Sequence, residues 1–337
     1  MWRLYLSLYY FTLTMGTMIA ITANSWLITW LGLEVNLLGL MPLMTKLNKK
    51  YSSEATIKYF LIQVMASGLF LFSSIISSTN FMSNSLEINT INSFILCTAL
   101  LLKIGAAPLH FWLPEVMKGS DWKMNFIILT WQKLAPMIII YQTMPNPIYF
   151  SIIILLSSII SGIQGMNQTC LRKIMAYSSI NHSSWMIASI MSSLMLWFCY
   201  YLIYLLMNMS IIMLMNNYNI FNISQLSKFF NLNKMKKIMF LFNFLNLGGL
   251  PPFLGFLPKW MVVLNLTKNN FMLLSTLLIV FTLITLYFYI RICLSTFSIN
   301  SEESLTNFFY KMNYLSSMIT VFSLIGLVSC TMLTNNL

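Results

Sequence analysis

The chain has 337 residues, 58% of them hydrophobic and 15% aromatic, with only 8% charged and a mean hydropathy of +0.77. No aqueous core could absorb that much apolar surface, which excludes a soluble globular domain and places nearly the whole chain in lipid. The net charge of +12 comes from lysines and arginines scattered between apolar runs, which excludes the massed basic face of a nucleic-acid binder and is instead a topology signal.

Polar stretches are too short to form a separate aqueous domain, so residues 1–337 are expected to form a single membrane domain of the all-α polytopic class. The first apolar run is preceded only by Arg3 and lacks a small-residue cleavage site, so it is expected to stay as a helix. Cys97, Cys170, Cys199, Cys293 and Cys330 are widely separated and mostly lie within apolar runs. That pattern fits buried small residues rather than a disulfide framework or a metal site. Abundant Phe, Met, Ile, Asn and Tyr, against few Gly and Ala, suggest translation of an AT-rich gene.

Taking about 20 apolar residues per crossing, helices are expected near 4–21, 25–44, 57–78, 92–117, 124–143, 148–166, 174–193, 195–216, 237–265, 271–294 and 315–334, about eleven in all. A tight turn near Ser193 separates the seventh from the eighth. With eleven crossings, one face carries Arg3, Lys46, Lys49, Lys50, Lys58, Lys118, Lys123, Arg172, Lys173, Lys228, Lys234, Lys236, Lys237, Arg291 and Lys311, and the other only Lys268. That asymmetry puts the N-terminus on the inner side and the C-terminus across the membrane. The basic stretch 221–237 is either a helix lying on the membrane surface or a solvated loop.

The fourth and ninth expected spans share a pattern. Gly105-Ala106-Ala107-Pro108 through Leu113-Pro114-Glu115-Val116-Met117 aligns without a gap on Gly249-Leu250-Pro251-Pro252 through Leu257-Pro258-Lys259-Trp260-Met261, at a constant offset of 144. Proline inside a helix removes a backbone hydrogen bond and clashes with the preceding turn. Each span is therefore expected to be interrupted at Gly105 and Pro108, and at Gly249, Pro251 and Pro252, freeing carbonyls at membrane depth. By the expected topology the two copies run in opposite directions, so residues 1–143 and 148–294 form two inverted repeats of five helices each, followed by the C-terminal helix at 315–334. Broken helices at matching positions of inverted repeats point to a transporter pathway; ordinary proline kinks are the plainer reading.

Four ionisable residues lie deep in apolar runs: Glu34, Lys103, Lys133 and Lys259. A charge at the bilayer centre costs about 2.5–3.5 kcal/mol on insertion scales, and such groups usually mark ion pathways or proton relays. Glu34 and Lys103 are expected to pair. Burial favours the neutral form of each and pairing favours the charged form, so opening and closing the pair would switch proton affinity. A purely structural salt bridge is the alternative. Lys133 has no second acid to balance it, and Lys259 follows the second break, where water from the outer side could reach it. His182, on the hydroxyl-rich stretch Tyr177-Ser178-Ser179-Ile180-Asn181-His182-Ser183-Ser184, is a candidate relay or a source of interhelical hydrogen bonds. His110 is a candidate relay or a partner for carbonyls freed at the first break. Glu115, near Lys118, is expected in an interfacial ion pair. No Gly-rich phosphate loop, cysteine cluster, His pair at metal spacing or nucleophile elbow occurs, so no redox, nucleotide or metal site is expected.

Trp30-Leu31-Gly32-Leu33-Glu34, Leu102-Lys103-Ile104-Gly105-Ala106-Ala107-Pro108-Leu109-His110-Phe111-Trp112-Leu113-Pro114, Trp131-Gln132-Lys133-Leu134-Ala135-Pro136, Ala176-Tyr177-Ser178-Ser179-Ile180-Asn181-His182 and Gly248-Gly249-Leu250-Pro251-Pro252 to Lys259 together resemble the subunit 2 family of NADH:ubiquinone oxidoreductase, respiratory complex I, over essentially the full chain. The resemblance implies an antiporter-like proton channel in the membrane arm. Glu34 would be paired with Lys103, Lys133 would pass protons on, and Lys259 would deliver them outward. It implies a mitochondrial inner-membrane location, with the N-terminus in the matrix and the C-terminus in the intermembrane space, and the composition suggests an insect. NADH, FMN, iron-sulfur clusters and ubiquinone would be handled by partner subunits, and none bound here. Partners would be neighbouring antiporter-like and small membrane-arm subunits, accessory subunits and phospholipids, cardiolipin among them, with no nucleic acid. A cation/proton antiporter subunit and a non-pumping membrane scaffold share many of these features.

Overall fold

A computed structural model of the chain describes residues 2–45, 50–79, 86–144, 146–230, 234–251 and 253–297. Among them every regular element is a helix, and a single isolated bridge joins Cys170 to Asn222. Two compact units divide the chain, residues 1–153 and 154–337. Among the described residues six helical stretches, the two pieces over Trp122–Thr143 counted as one, are long and apolar enough to cross a membrane, which makes this a multi-pass membrane protein. The last expected span, 315–334, lies outside the described residues.

The first unit contains α1 (Trp2–Thr22), α2 (Trp26–Met44), α3 (Lys50–Thr79), α4 (Leu86–Ile104), α5 (Trp112–Gly119), α6 (Trp122–Leu129), α7 (Trp131–Thr143) and the start of α8 (Pro147–Met166). Ser25 accepts a hydrogen bond from the Ile28 amide and starts α2. α1 and α2 pack backbone against backbone. A Cβ on Gly32 would stand 2.5 Å from the Ala20 nitrogen, and one on Gly16 would stand 2.6 Å from the Asn36 nitrogen. Small residues at such seams let membrane helices approach closely. α4 packs on α3 and α7, and α5 packs on α3.

The second unit holds the rest of α8, α9 (Leu171–Ser192), α10 (Leu194–Tyr218), α11 (Ile223–Phe230), α12 (Lys234–Gly248), α13 (Phe256–Lys268) and α14 (Met272–Phe297). The turn expected near Ser193 is present: this residue is extended (φ −166°, ψ 149°) and its hydroxyl accepts from the Leu196 amide. α9 is buried along nearly its whole length and packs on α10, α13 and α14. The expected surface segment at 221–237 resolves into the short helix α11 and the start of α12. Serine and threonine hydroxyls along these helices mostly donate to the carbonyl three residues back, as with Ser178 to Met175 and Ser183 to Ile180. Polar side chains are thereby satisfied within their own helix, which a lipid environment demands.

Three expected spans differ in detail; the third is α3, which starts at Lys50, seven residues earlier than expected. The fifth, expected as one helix over 124–143, is two pieces, α6 and α7, separated at Thr130 (φ −114°, ψ −74°). Pro136, a turn and a half further on, leaves the Gln132 carbonyl without its usual amide donor. The fourth starts at Leu86, six residues earlier than expected.

Candidate functional site

Both expected helix breaks are present, and both are built the same way. α4 ends at Gly105 (φ +77°): the Ala106 amide reaches back to the Leu101 carbonyl at 3.1 Å, and the Gly105 amide to Leu102 at 3.3 Å. α12 ends at Gly249 (φ +72°), with Leu250 donating to Leu245 at 3.5 Å and Gly249 to Asn246 at 2.9 Å. This is the Schellman pattern of helix termination, and its left-handed residue is glycine because a Cβ would clash there. Pro108 and Pro251 lie in the linkers that follow, and Pro252 falls outside the described residues.

At the first break the orphan carbonyls of α4 find side-chain donors. The Trp112 indole donates to the Leu102 carbonyl at 3.1 Å, and Gln63 of α3 donates to the Lys103 carbonyl at 3.4 Å. Lys103 occupies the last turn of α4, where the partial negative charge of a helix C-terminus favours a cation. It is 6% exposed. Its side chain faces a water-sized cavity lined by Asn36, Tyr59, Gln63, Gln132 and Pro136. Gln132 donates to the Asn36 side chain at 3.0 Å, and the Tyr59 hydroxyl lies 3.5 Å from the Gln132 oxygen. Lys133, next in sequence, is 1% exposed in the first turn of α7.

The expected closed pair between Glu34 and Lys103 is not formed: among the described residues the two make no ion pair. Glu34 Oε1 is buried without a hydrogen-bond partner. His110 is buried, with Nδ1 3.2 Å from the Pro108 carbonyl and its ring centroid 4.5 Å from that of Phe111, the two planes tilted by 31°, inside the first linker. Glu115 forms an ion pair with Lys58 of α3 rather than with the expected Lys118, and both partners are exposed.

In the second unit Lys259 sits in the first turn of α13, 8% exposed, and its ammonium donates to the Gly248 carbonyl at 2.8 Å. Asn246 accepts the Gly255 amide at 2.7 Å and so holds the linker between α12 and α13. His182 lies inside a buried cluster: Nδ1 is 3.0 Å from the Tyr200 hydroxyl and its ring is 5.1 Å from the Tyr204 ring. Asn181 donates to Thr285 of α14 at 3.2 Å. Among the described residues no group of three or more His, Cys, Asp or Glu side chains could hold a metal ion.

Residues 23–285 match the family model described as NADH:quinone oxidoreductase/Mrp antiporter, TM. NADH-ubiquinone oxidoreductase chain 2 of Anopheles gambiae is 44% identical, with 95% of each chain covered, and that of Aedes aegypti is 42% identical, with 97% of each covered. The chain belongs to the NADH-ubiquinone oxidoreductase chain 2 family. A mammalian member, from Lemur catta, is 42% identical over 85% of this chain and 83% of its own length. The fold matches a chain in respiratory complex I from Thermus thermophilus with bound aureothin, with TM-score 0.86, 22% identity, and 96% of this chain and 78% of that one covered. It also matches a chain of the Mrp complex from Dietzia sp. DQ12-45-1b, with TM-score 0.81, 13% identity, and 95% of this chain and 74% of that one covered.

Within this chain 2 family member, sequence reading found the lysines and the breaks but not the neutral residues around them. Tyr59, Gln63 and Asn36 line the Lys103 cavity from α3 and α2. A single polar residue on a membrane helix carries no sign of which helix will answer it. The signal available in sequence was helical spacing: Tyr59 and Gln63 are four residues apart and share a face of α3.

Proposed function

We propose that this chain is the proton-translocating, antiporter-like core subunit of mitochondrial NADH:ubiquinone oxidoreductase, coupling NADH oxidation by ubiquinone to proton movement across the inner membrane. The observation that carries the proposal is the burial of three lysines, Lys103, Lys133 and Lys259, in a membrane protein whose two interrupted helices lie next to two of them. A buried cation in lipid is costly, and proton transfer is the function that such groups serve best. Their order in transfer, from Lys103 through Lys133 to Lys259, follows the family resemblance.

In this reading the input is a change of charge near Glu34. Among the described residues no ion pair joins Glu34 to Lys103, so a charge arriving beside α2 alters the proton affinity of Lys103 without first breaking a closed salt bridge. The cavity beside Lys103, with Asn36, Tyr59, Gln63 and Gln132 around it, provides room and partners for a water that carries the proton onward. His110 and His182 are secondary candidates for relay. The sequence has no nucleotide loop or cysteine cluster, so electron transfer through FMN, iron-sulfur clusters and ubiquinone belongs to partner subunits, and this chain takes part in catalysis as a subunit of the assembly. Neighbouring antiporter-like and small membrane-arm subunits, accessory subunits and phospholipids including cardiolipin complete its surroundings. The N-terminus lies in the matrix and the C-terminus in the intermembrane space, and the two inverted repeats 1–143 and 148–294 each contribute one break.

Lys103→Met in the assembled complex tests the reading, with NADH-driven proton pumping measured in vesicles alongside NADH oxidation by an artificial acceptor. Loss of pumping with acceptor reduction preserved is expected. Unchanged pumping per NADH oxidised would sink the proposal, and sodium-dependent exchange without NADH would favour a cation/proton antiporter.

A further inference from the structure

The turn that carries Lys133 is weakly held by its own backbone. It follows the interruption at Thr130, and the Lys133 amide reaches back three residues rather than four, to the Thr130 carbonyl at 3.1 Å. Pro136 has no amide to give, so the Gln132 carbonyl lacks its donor from the next turn. A helix end short of internal bonds depends on side chains or on its surroundings to fix it.

The Gln132 side chain supplies that hold. Its Nε2 donates to Asn36 Oδ1 of α2 at 3.0 Å, and the Tyr59 hydroxyl of α3 donates to its Oε1 at 3.5 Å. Both partners are buried and both are themselves anchored. The Asn36 nitrogen packs so closely on α1 that a Cβ on Gly16 would stand 2.6 Å from it. The Tyr59 ring meets Trp112 edge-on at 5.7 Å, and Trp112 in turn donates to the Leu102 carbonyl at the end of α4. One amide therefore joins the first turn of α7 to the α1–α2 seam on one side and to the first helix break on the other.

We propose that Gln132 is a positioning residue for Lys133: its amide, gripped by Asn36 and Tyr59, fixes the loosely bonded first turn of α7 and with it the place from which Lys133 exchanges protons. Lys133 is the next residue and is 1% exposed, so its side chain is enclosed and follows the backbone that carries it. Misplacing a reacting group by about 1 Å costs on the order of a hundredfold in rate. A rearrangement of the first break reaches this turn through Trp112 and Tyr59, by contact rather than by the charge of Lys103. The inference rests on the proton-translocating reading.

Substitutions in the assembled complex test it. Gln132→Met keeps the length of the side chain and removes both polar atoms. At equal levels of assembled complex it is expected to slow NADH-driven pumping about tenfold, equivalent to about 1.4 kcal/mol of barrier, and to displace the pH profile of pumping. A packing role alone would lower the level of assembled complex and leave that profile in place. Gln132→Asn shortens the arm by one methylene and is expected to slow pumping as well. Adding Asn36→Gln returns the methylene from the other side, and is expected to recover most of the rate and the native profile. Native pumping by Gln132→Met while Lys133→Met abolishes it overturns the inference and leaves the function standing. A slowed Gln132→Met with an unmoved profile, or an exchange of the two residues that pumps no better than Gln132→Asn alone, overturns it too. Native pumping by Lys133→Met overturns the function itself. If Gln132→Met does not assemble, Gln132→Asn with and without Asn36→Gln decides.

Discussion

The two helix breaks use one backbone device with the cation on opposite sides. At the first, Lys103 precedes the glycine by two residues and a neutral indole, Trp112, occupies a freed carbonyl. At the second, the position 144 residues on from Lys103 is Leu247, and the ammonium of Lys259, ten residues after the glycine, is itself the carbonyl's donor. Loss of the Lys259 proton would weaken a bond that holds the break together, whereas Lys103 can change charge with its carbonyls already satisfied. The first break is therefore a site where charge can change at little structural cost. The second ties the charge of its lysine to the geometry of the backbone.

Substituting each glycine tests this contrast most strongly. A left-handed backbone costs a residue with a Cβ about 1–2 kcal/mol, so Gly105→Ala and Gly249→Ala should both lower the midpoint of thermal inactivation of the complex. At Gly249 the new Cβ would stand 2.9 Å from the Lys259 ammonium, and at Gly105 it would meet only Leu113 and Trp112 side chains, at 3.0 and 3.1 Å. Pumping should collapse in Gly249→Ala and persist at a reduced level in Gly105→Ala. Equal losses would end the comparison.

Next in size is the paired substitution at Lys259. Lys259→Met strands the Gly248 carbonyl, a loss of about 1–3 kcal/mol for an unsatisfied buried group. Lys259→Gln restores a donor without a transferable proton. The thermal midpoint should drop in the first and largely recover in the second, with pumping lost in both. Trp112→Phe removes one neutral hydrogen bond, about 1 kcal/mol, and should lower the thermal midpoint slightly while leaving pumping intact. Glu115→Gln breaks the exposed ion pair with Lys58, which solvent and salt screen. The expected outcome is an unchanged thermal midpoint at physiological ionic strength.

The parts of the site legible in the sequence are those whose physics is local. Gly105 and Gly249 announce themselves because a glycine followed by proline ends a helix almost regardless of context. Lys103, Lys133 and Lys259 stand out because charge is rare in lipid-length apolar runs. Non-local facts were hidden. Whether Glu34 touches Lys103 depends on how α2, α3 and α4 meet, and no residue spacing encodes it. The interruption at Thr130 lacks a glycine, and its proline stands six residues downstream, so a span-length reading passes over it. Asn243 looks like ordinary polar filler until the packing of the second unit leaves both its polar atoms without partners.

The glycine seam between α1 and α2 fixes more than two helices. With Gly16 against the Asn36 backbone and Gly32 against that of Ala20, α2 has no compressible side-chain layer on that side along which to slide or roll. The height of Glu34 against α1 is thereby set by main-chain contact, like a mark on a rigid ruler. On the proposed function, a signal from Glu34 to Lys103 would travel as electric field across that fixed frame rather than by sliding of α2 on α1.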